Sequence, residues 1–77
     1  MNNFQDLDLE IARFLINKLE GFLEDTKNYV EVPEEEIRDV IKGLDDYILY
    51  ENLGERNKYN IEKTFLCLAK IFPQLWF

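Results

Sequence analysis

The sequence predicts an all-α fold, a small three-helix bundle in which neighbouring helices run antiparallel. Three segments, near residues 6–25, 33–53 and 58–72, carry apolar side chains at helical spacing. The connections between them are short, as between antiparallel neighbours in a bundle. A chain of 77 residues has room for one core. We therefore predict a single helical domain over residues 1–77, with residues 73–77 as an apolar tail.

The first predicted helix has an unusually wide apolar side. Asp6, Asp8 and Glu10 stand in its first turn, where carboxylates interact favourably with the helix dipole. Its principal apolar face contains Leu7, Ile11, Phe14, Leu15, Leu19 and Phe22. Three further apolar residues, Ala12, Ile16 and Leu23, widen that face to more than half of the circumference.

The second predicted helix has the clearest start signal. Pro33 is followed by the three glutamates of residues 34–36, and proline before acidic residues is typical of a helix N-terminus. One narrow apolar face follows, made of Ile37, Val40, Ile41, Leu44, Tyr47 and Ile48. Gly54 is a plausible stop.

The third predicted helix is apolar on nearly every side. Asn57 or Asn60 can cap its start, and Pro73 should end or kink it because proline lacks a backbone donor. Combining the three helices, we predict that the most buried residues include Leu15, Phe22, Ile41, Leu44, Phe65 and Leu68.

The apolar surplus on the first and third helices predicts self-association as a homodimer. Two helices cannot cover the whole circumference of the third, and small cores often need a partner. The candidate self-association residues are Ala12, Ile16, Leu23, Leu66, Cys67, Ile71, Trp76 and Phe77. The alternative is that the tail turns at Pro73 and covers the surplus with Trp76, which would leave a monomer.

The residues required for most enzyme chemistry are missing. The sequence has no Ser, no His, one Cys and three isolated glycines. Nucleophilic triads, phosphate-binding glycine loops and Cys/His metal sites therefore have no residues to build them. The single Cys67 cannot form a disulfide within the chain. We expect a protein without enzymatic activity, cofactor or metal.

The formal charge of −7 narrows the classes of partner. Direct nucleic-acid binding and attachment to anionic membranes both depend on Lys and Arg, so we expect neither. The N-terminal sequence lacks the features of a signal peptide, and Lys70 and Pro73 interrupt the longest apolar stretch. Together with the unpaired thiol, these features favour a cytoplasmic protein.

Acidic residues and tyrosines concentrate at the end of the second helix. Tyrosine is enriched at binding hot spots, and carboxylates attract a basic partner. The candidate partner-binding residues are Asp45, Asp46, Tyr47, Tyr50 and Glu51. We therefore predict a protein that binds another, basic protein, as an inhibitor, immunity protein or adaptor does.

Two alternatives remain from the sequence. One is a structural homo-oligomer without a foreign partner. The weaker one is an acidic mimic of nucleic acid, which would need unbroken rows of carboxylates. Arg13 and Lys42 interrupt the two available rows. The i,i+4 spacing of Glu34 with Arg38, and of Lys42 with Asp46, indicates ordinary surface ion pairs instead.

Overall fold

The computed structural model describes residues 6–28, 31–52 and 61–75, and for residues 51 and 52 it describes the backbone alone. It contains three α-helices, α1 (Leu7–Asp25), α2 (Glu34–Asn52) and α3 (Ile61–Ile71). A 3₁₀ turn, Phe72–Gln74, follows α3 directly. The predicted all-α three-helix bundle is confirmed. The proposed caps at Asn57 and Asn60, the stop at Gly54 and the first residues expected for the third helix lie outside the described residues.

Helix α2 packs against both other helices and runs antiparallel to each. The end of α1 and the start of α2 line one groove, whereas Tyr47, near the end of α2, bonds to Asp8 at the start of α1. Similarly, Cys67 near the end of α3 lies beside Glu36 at the start of α2. No Cα atom of residues 7–25 lies within 8 Å of one in residues 61–71. Helices α1 and α3 therefore flank α2 without close contact between their backbones.

The described helix ends follow local signals in the sequence. Thr26 closes α1, because its backbone N–H and its hydroxyl both donate to the carbonyl oxygen of Phe22, at 3.0 and 2.7 Å. Pro33 immediately precedes α2, and its carbonyl oxygen accepts the backbone N–H of Ile37 at 3.0 Å. Pro73 lies within the 3₁₀ turn, so the α-helix ends two residues before it, as predicted.

The core is centred on α2. Ile37, Val40 and Leu44 are its most completely buried large side chains. Helix α1 contributes Ala12, Ile16 and Leu19 to the same cluster, and α3 contributes Leu68 and Ile71. Because the centre of α2's apolar face is covered by α1 and α3, α2 is the element on which the other two helices depend.

The predicted core was partly wrong. Leu44 and Leu68 are buried as expected, whereas Leu15, Phe22 and Ile41 are half-buried at the edge of the cluster. Phe65 is 41% exposed, which contradicts the prediction. The apolar arcs of α1 and α3 are too wide for periodicity to indicate which part faces α2. In the structure each helix turns part of its arc away from α2, toward the space between α1 and α3.

Candidate partner-binding surfaces

A charged groove of about 600 Å³ runs between the end of α1 and residues 34–46 of α2. Antiparallel packing creates this groove, because it sets the polar flank of α1 beside that of α2. We call it the acidic groove. It is lined by Glu20, Leu23, Glu24, Lys27, Glu34, Arg38, Ile41, Lys42, Asp45 and Asp46.

Every basic residue of the acidic groove is paired with one of its carboxylates. Lys27 Nζ lies 3.2 Å from Glu24, and Lys42 Nζ lies 3.3 Å from Asp46. In the third pair, Arg38 donates two hydrogen bonds to one carboxylate oxygen of Glu34, from Nε at 3.0 Å and from Nη2 at 2.8 Å. The two i,i+4 pairs predicted from sequence spacing are therefore confirmed.

Carboxylates outnumber cations in the acidic groove. Five acidic and three basic residues line it, which leaves a formal charge of −2 there. Glu20 and Asp45 are the two acids beyond the three ion pairs, and both are exposed. Half-buried Leu23 and Ile41 form an apolar strip between the charges. The groove thus combines excess negative charge with a small apolar contact area.

The five predicted partner-binding residues do not share one surface. Asp45 and Asp46 line the acidic groove. Tyr47 instead faces α1, where its hydroxyl donates to the Asp8 carboxylate at 2.6 Å. Tyr50 is half-buried, one turn after Asp46, and the side chain of Glu51 lies outside the described residues. Sequence reasoning grouped these residues because they are neighbours in the chain, but a helix separates neighbours around its circumference.

Three acids of the groove were not among the predicted site residues. Glu20, Glu24 and Glu34 come from different helices and meet Asp45 and Asp46 only through the fold. A signal for them existed in the sequence. Antiparallel neighbours place the last turns of α1 beside the first turns of α2, and both stretches are rich in acids.

The predicted self-association residues are divided between the core and the surface. Ala12, Ile16 and Ile71 are buried in the core of a single chain, so the expectation that they form a surplus outside it is wrong. They are buried because α1 and α3 turn exactly that part of their arcs toward α2. Leu23 and Cys67 are half-buried, and Leu66 is exposed. Trp76 and Phe77 lie outside the described residues.

Cys67 lies at the contact between α3 and α2. Its thiol Sγ is 3.9 Å from the carbonyl oxygen of Glu36, a weak hydrogen bond at most. The half-buried position agrees with the behaviour of a small apolar side chain.

A second groove, which we call the apolar groove, separates α1 from α3. Two cavities lie along it, of about 230 Å³ beside the start of both helices and about 270 Å³ toward their ends. Its walls are mainly aliphatic and aromatic, with Asp8 and Lys18 as the only charged lining residues in the described part of the chain. The lining residues are Asp8, Ile11, Ala12, Leu15, Lys18, Leu19, Phe22, Leu44, Tyr47, Ile61, Phe65, Leu68, Phe72 and Leu75.

The described segments contain neither a cluster of metal ligands nor a helix able to span a membrane. Residues 6–28, 31–52 and 61–75 contain no group of three or more Cys, Asp or Glu side chains placed to hold a metal ion. None of the three helices has both the length and the apolar character that a membrane span requires. Comparisons with protein-family models, with curated proteins and with solved structures found no match.

Proposed function

We propose that this protein is a non-enzymatic cytoplasmic protein that acts by binding a basic protein partner, in the manner of an inhibitor, immunity protein or adaptor. The observation that carries the proposal is the acidic groove. It is large, carries more carboxylates than cations, and has an apolar strip between them.

The ion pairs of the groove favour exchange with a partner. In all three pairs the cation is exposed, and exposed pairs contribute only about 0.2–1 kcal/mol each. A partner's Lys or Arg can therefore replace Lys27, Arg38 or Lys42 at its carboxylate with little loss of folding free energy. Glu20 and Asp45 are available without any exchange.

The apolar strip supplies contact area that charge alone does not. Leu23 and Ile41 are half-buried in the free protein, so a partner side chain over them would remove further apolar surface from water. Attraction between opposite charges mainly accelerates the encounter and selects the partner, whereas apolar burial slows dissociation. A partner with alternating basic and apolar residues would match both features.

Tyrosine has a smaller part in this proposal than the sequence indicated. The Tyr47 hydroxyl is engaged by Asp8 within the chain. Tyr50 lies four residues after Asp46, so it lies on the same side of α2 at the edge of the groove. Tyr50 is the tyrosine that we assign to the partner interface.

The experiment is affinity capture from a native lysate of the source cells with two matched charge variants. The test variant is Glu20→Gln with Asp45→Asn, and both positions line the groove. The control is Glu10→Gln with Asp39→Asn, two exposed positions outside it. Both variants lose two negative charges, so the comparison isolates position from total charge.

We expect a stoichiometric basic protein that is captured by the wild type and by the control but is lost from the test variant. Capture of no foreign protein would favour the structural homo-oligomer and contradict the proposal. A captured protein that DNA displaces would favour the nucleic-acid mimic. Equal loss from both variants would show that net charge matters and the groove does not.

A further inference from the structure

We infer that the apolar groove between α1 and α3 is a second interface, and that its occupant is another copy of this chain. The inference concerns the opposite flank of α1 from the acidic groove and does not rest on the function proposed above. It also differs from the interface expected from sequence, because Ala12, Ile16 and Ile71 are already covered within one chain.

The groove is open because α1 and α3 are held apart. Their Cα atoms stay more than 8 Å from one another throughout residues 7–25 and 61–71, although packed helix pairs approach more closely. Exposed aromatic side chains stand in and beside the groove. Phe72, after α3, lines it and is 66% exposed. Phe14 on α1 is 59% exposed and lies at the rim, where the Nζ of the lining residue Lys18 is 5.5 Å from its ring centroid.

The exposed apolar area is suited to a small dimer interface. The exposed area can be estimated from three phenylalanines. The exposed fractions of Phe14, Phe65 and Phe72 are 59%, 41% and 66%. At roughly 200 Å² for a whole phenylalanine, they expose about 330 Å² in total. Leu7 and Ile11, both exposed on the same side of α1, add to this area. A standard interface buries about 800 Å² per partner, of which about 450–520 Å² is apolar. The groove and its walls therefore supply most of the apolar area that a two-fold dimer requires.

Charge favours a second copy over a foreign basic partner on this surface. The chain carries a net charge of −7, so two copies repel wherever their acidic faces meet and can associate only through a surface with little net charge. The apolar groove is lined by one acid and one base, Asp8 and Lys18, and is neutral. Their positions toward opposite ends of α1 suit an antiparallel pairing, in which a two-fold axis would bring Asp8 of each copy toward Lys18 of the other.

The test measures the oligomeric state by analytical ultracentrifugation of the full chain at micromolar concentration. The main variant is Phe14→Glu, at the rim of the groove beside Lys18, and the matched control is Leu49→Glu, which adds the same charge at a leucine of similar exposure, 53%, on α2. We expect a wild-type dimer whose dissociation constant rises about 100-fold in Phe14→Glu, since each copy contributes the changed residue. The Leu49→Glu control should remain a dimer.

A second variant and the salt dependence of the dimer test the same interface independently. Phe72→Ser changes the most exposed large apolar side chain of the described residues, so it should weaken the dimer without unfolding the chain, as circular dichroism would verify. Raising the salt from about 0.05 to 0.5 M should strengthen the dimer, because screening the repulsion between two chains of charge −7 outweighs screening the two Asp8–Lys18 attractions. A wild-type monomer at every concentration would overturn the inference. So would a dimer that tolerates Phe14→Glu and Phe72→Ser, or one that salt dissociates.

Discussion

Replacement of Tyr47 by Phe tests the hydrogen bond that joins the start of α1 to the end of α2. The Tyr47 hydroxyl donates to Asp8 at 2.6 Å, a distance typical of a hydroxyl bound to a carboxylate. Hydrogen bonds to charged groups contribute about 1.5–3 kcal/mol. Because both side chains are only half-buried and water can replace the donor, we expect the lower end, about 1.5 kcal/mol.

For a domain of this size, each kcal/mol lowers Tm by about 4–8 °C, so Tyr47→Phe should lower it by about 6–12 °C. Urea denaturation should report the matching loss in the free energy of unfolding. A double-mutant cycle with Asp8→Ala, which removes the acceptor, separates the hydrogen bond from the effect of that carboxylate on the helix dipole. A change in Tm of less than about 2 °C in Tyr47→Phe, or a cycle with no coupling energy, would show that this hydrogen bond does not stabilise the fold.

Three further predictions concern the packing and the surface. Leu44→Ala should lower the free energy of unfolding, measured by urea denaturation, by about 3 kcal/mol, because Leu44 is only 1% exposed at the centre of the core. The control Leu49→Ala, at a residue that is 53% exposed, should lower it by less than about 1 kcal/mol. Equal effects would contradict the described core. Gly21→Ala should raise the free energy of unfolding by about 0.5–1 kcal/mol, since Gly21 lies within α1 and an added methyl group would have no heavy atom within 4 Å beyond its chain neighbours and the nearby backbone of its own helix. A lower Tm would contradict this. Arg38→Gln should lower the free energy of unfolding by less than about 1 kcal/mol, because the ion pair between Arg38 and Glu34 is exposed although the guanidinium is bidentate. A larger loss would show that this pair has a structural role.

The sequence predicted the helices well because their signals are local. Pro33 with the following acids placed the start of α2, and Pro73 placed the end of α3. The narrow apolar face of α2 also identified Leu44 as a core residue. Each of these features depends on residues within one or two turns, so no knowledge of the neighbouring helices was needed.

The orientation of α1 and α3 could not be predicted in the same way. Both helices have apolar arcs wider than the surface that α2 can cover, and periodicity does not choose between the parts of a wide arc. The structure turns Ala12 and Ile16 toward α2 and leaves Phe14 exposed. Small Ala12 at that contact allows a close approach of the helices, which the larger aromatic side chains would prevent.

The acidic groove was predictable only in part. Asp45 and Asp46 were identified from one acidic stretch, but Glu20 joins them across the boundary between two helices. Tyr47 was assigned to the partner surface because its neighbours in the chain are acidic, yet its hydroxyl bonds to α1. Contacts between distant residues decide both outcomes, and a single sequence does not contain them.

The most direct test of the proposed function is the salt dependence of the dissociation constant of the captured partner, measured by calorimetry. If the partner binds in the acidic groove, its dissociation constant should rise about tenfold or more between about 0.05 and 0.5 M salt. At low salt, the double variant Glu20→Gln with Asp45→Asn should also raise the dissociation constant, whereas Phe14→Glu should leave it unchanged. A dissociation constant that is independent of salt and rises in Phe14→Glu would contradict the account, because it would place the partner in the apolar groove.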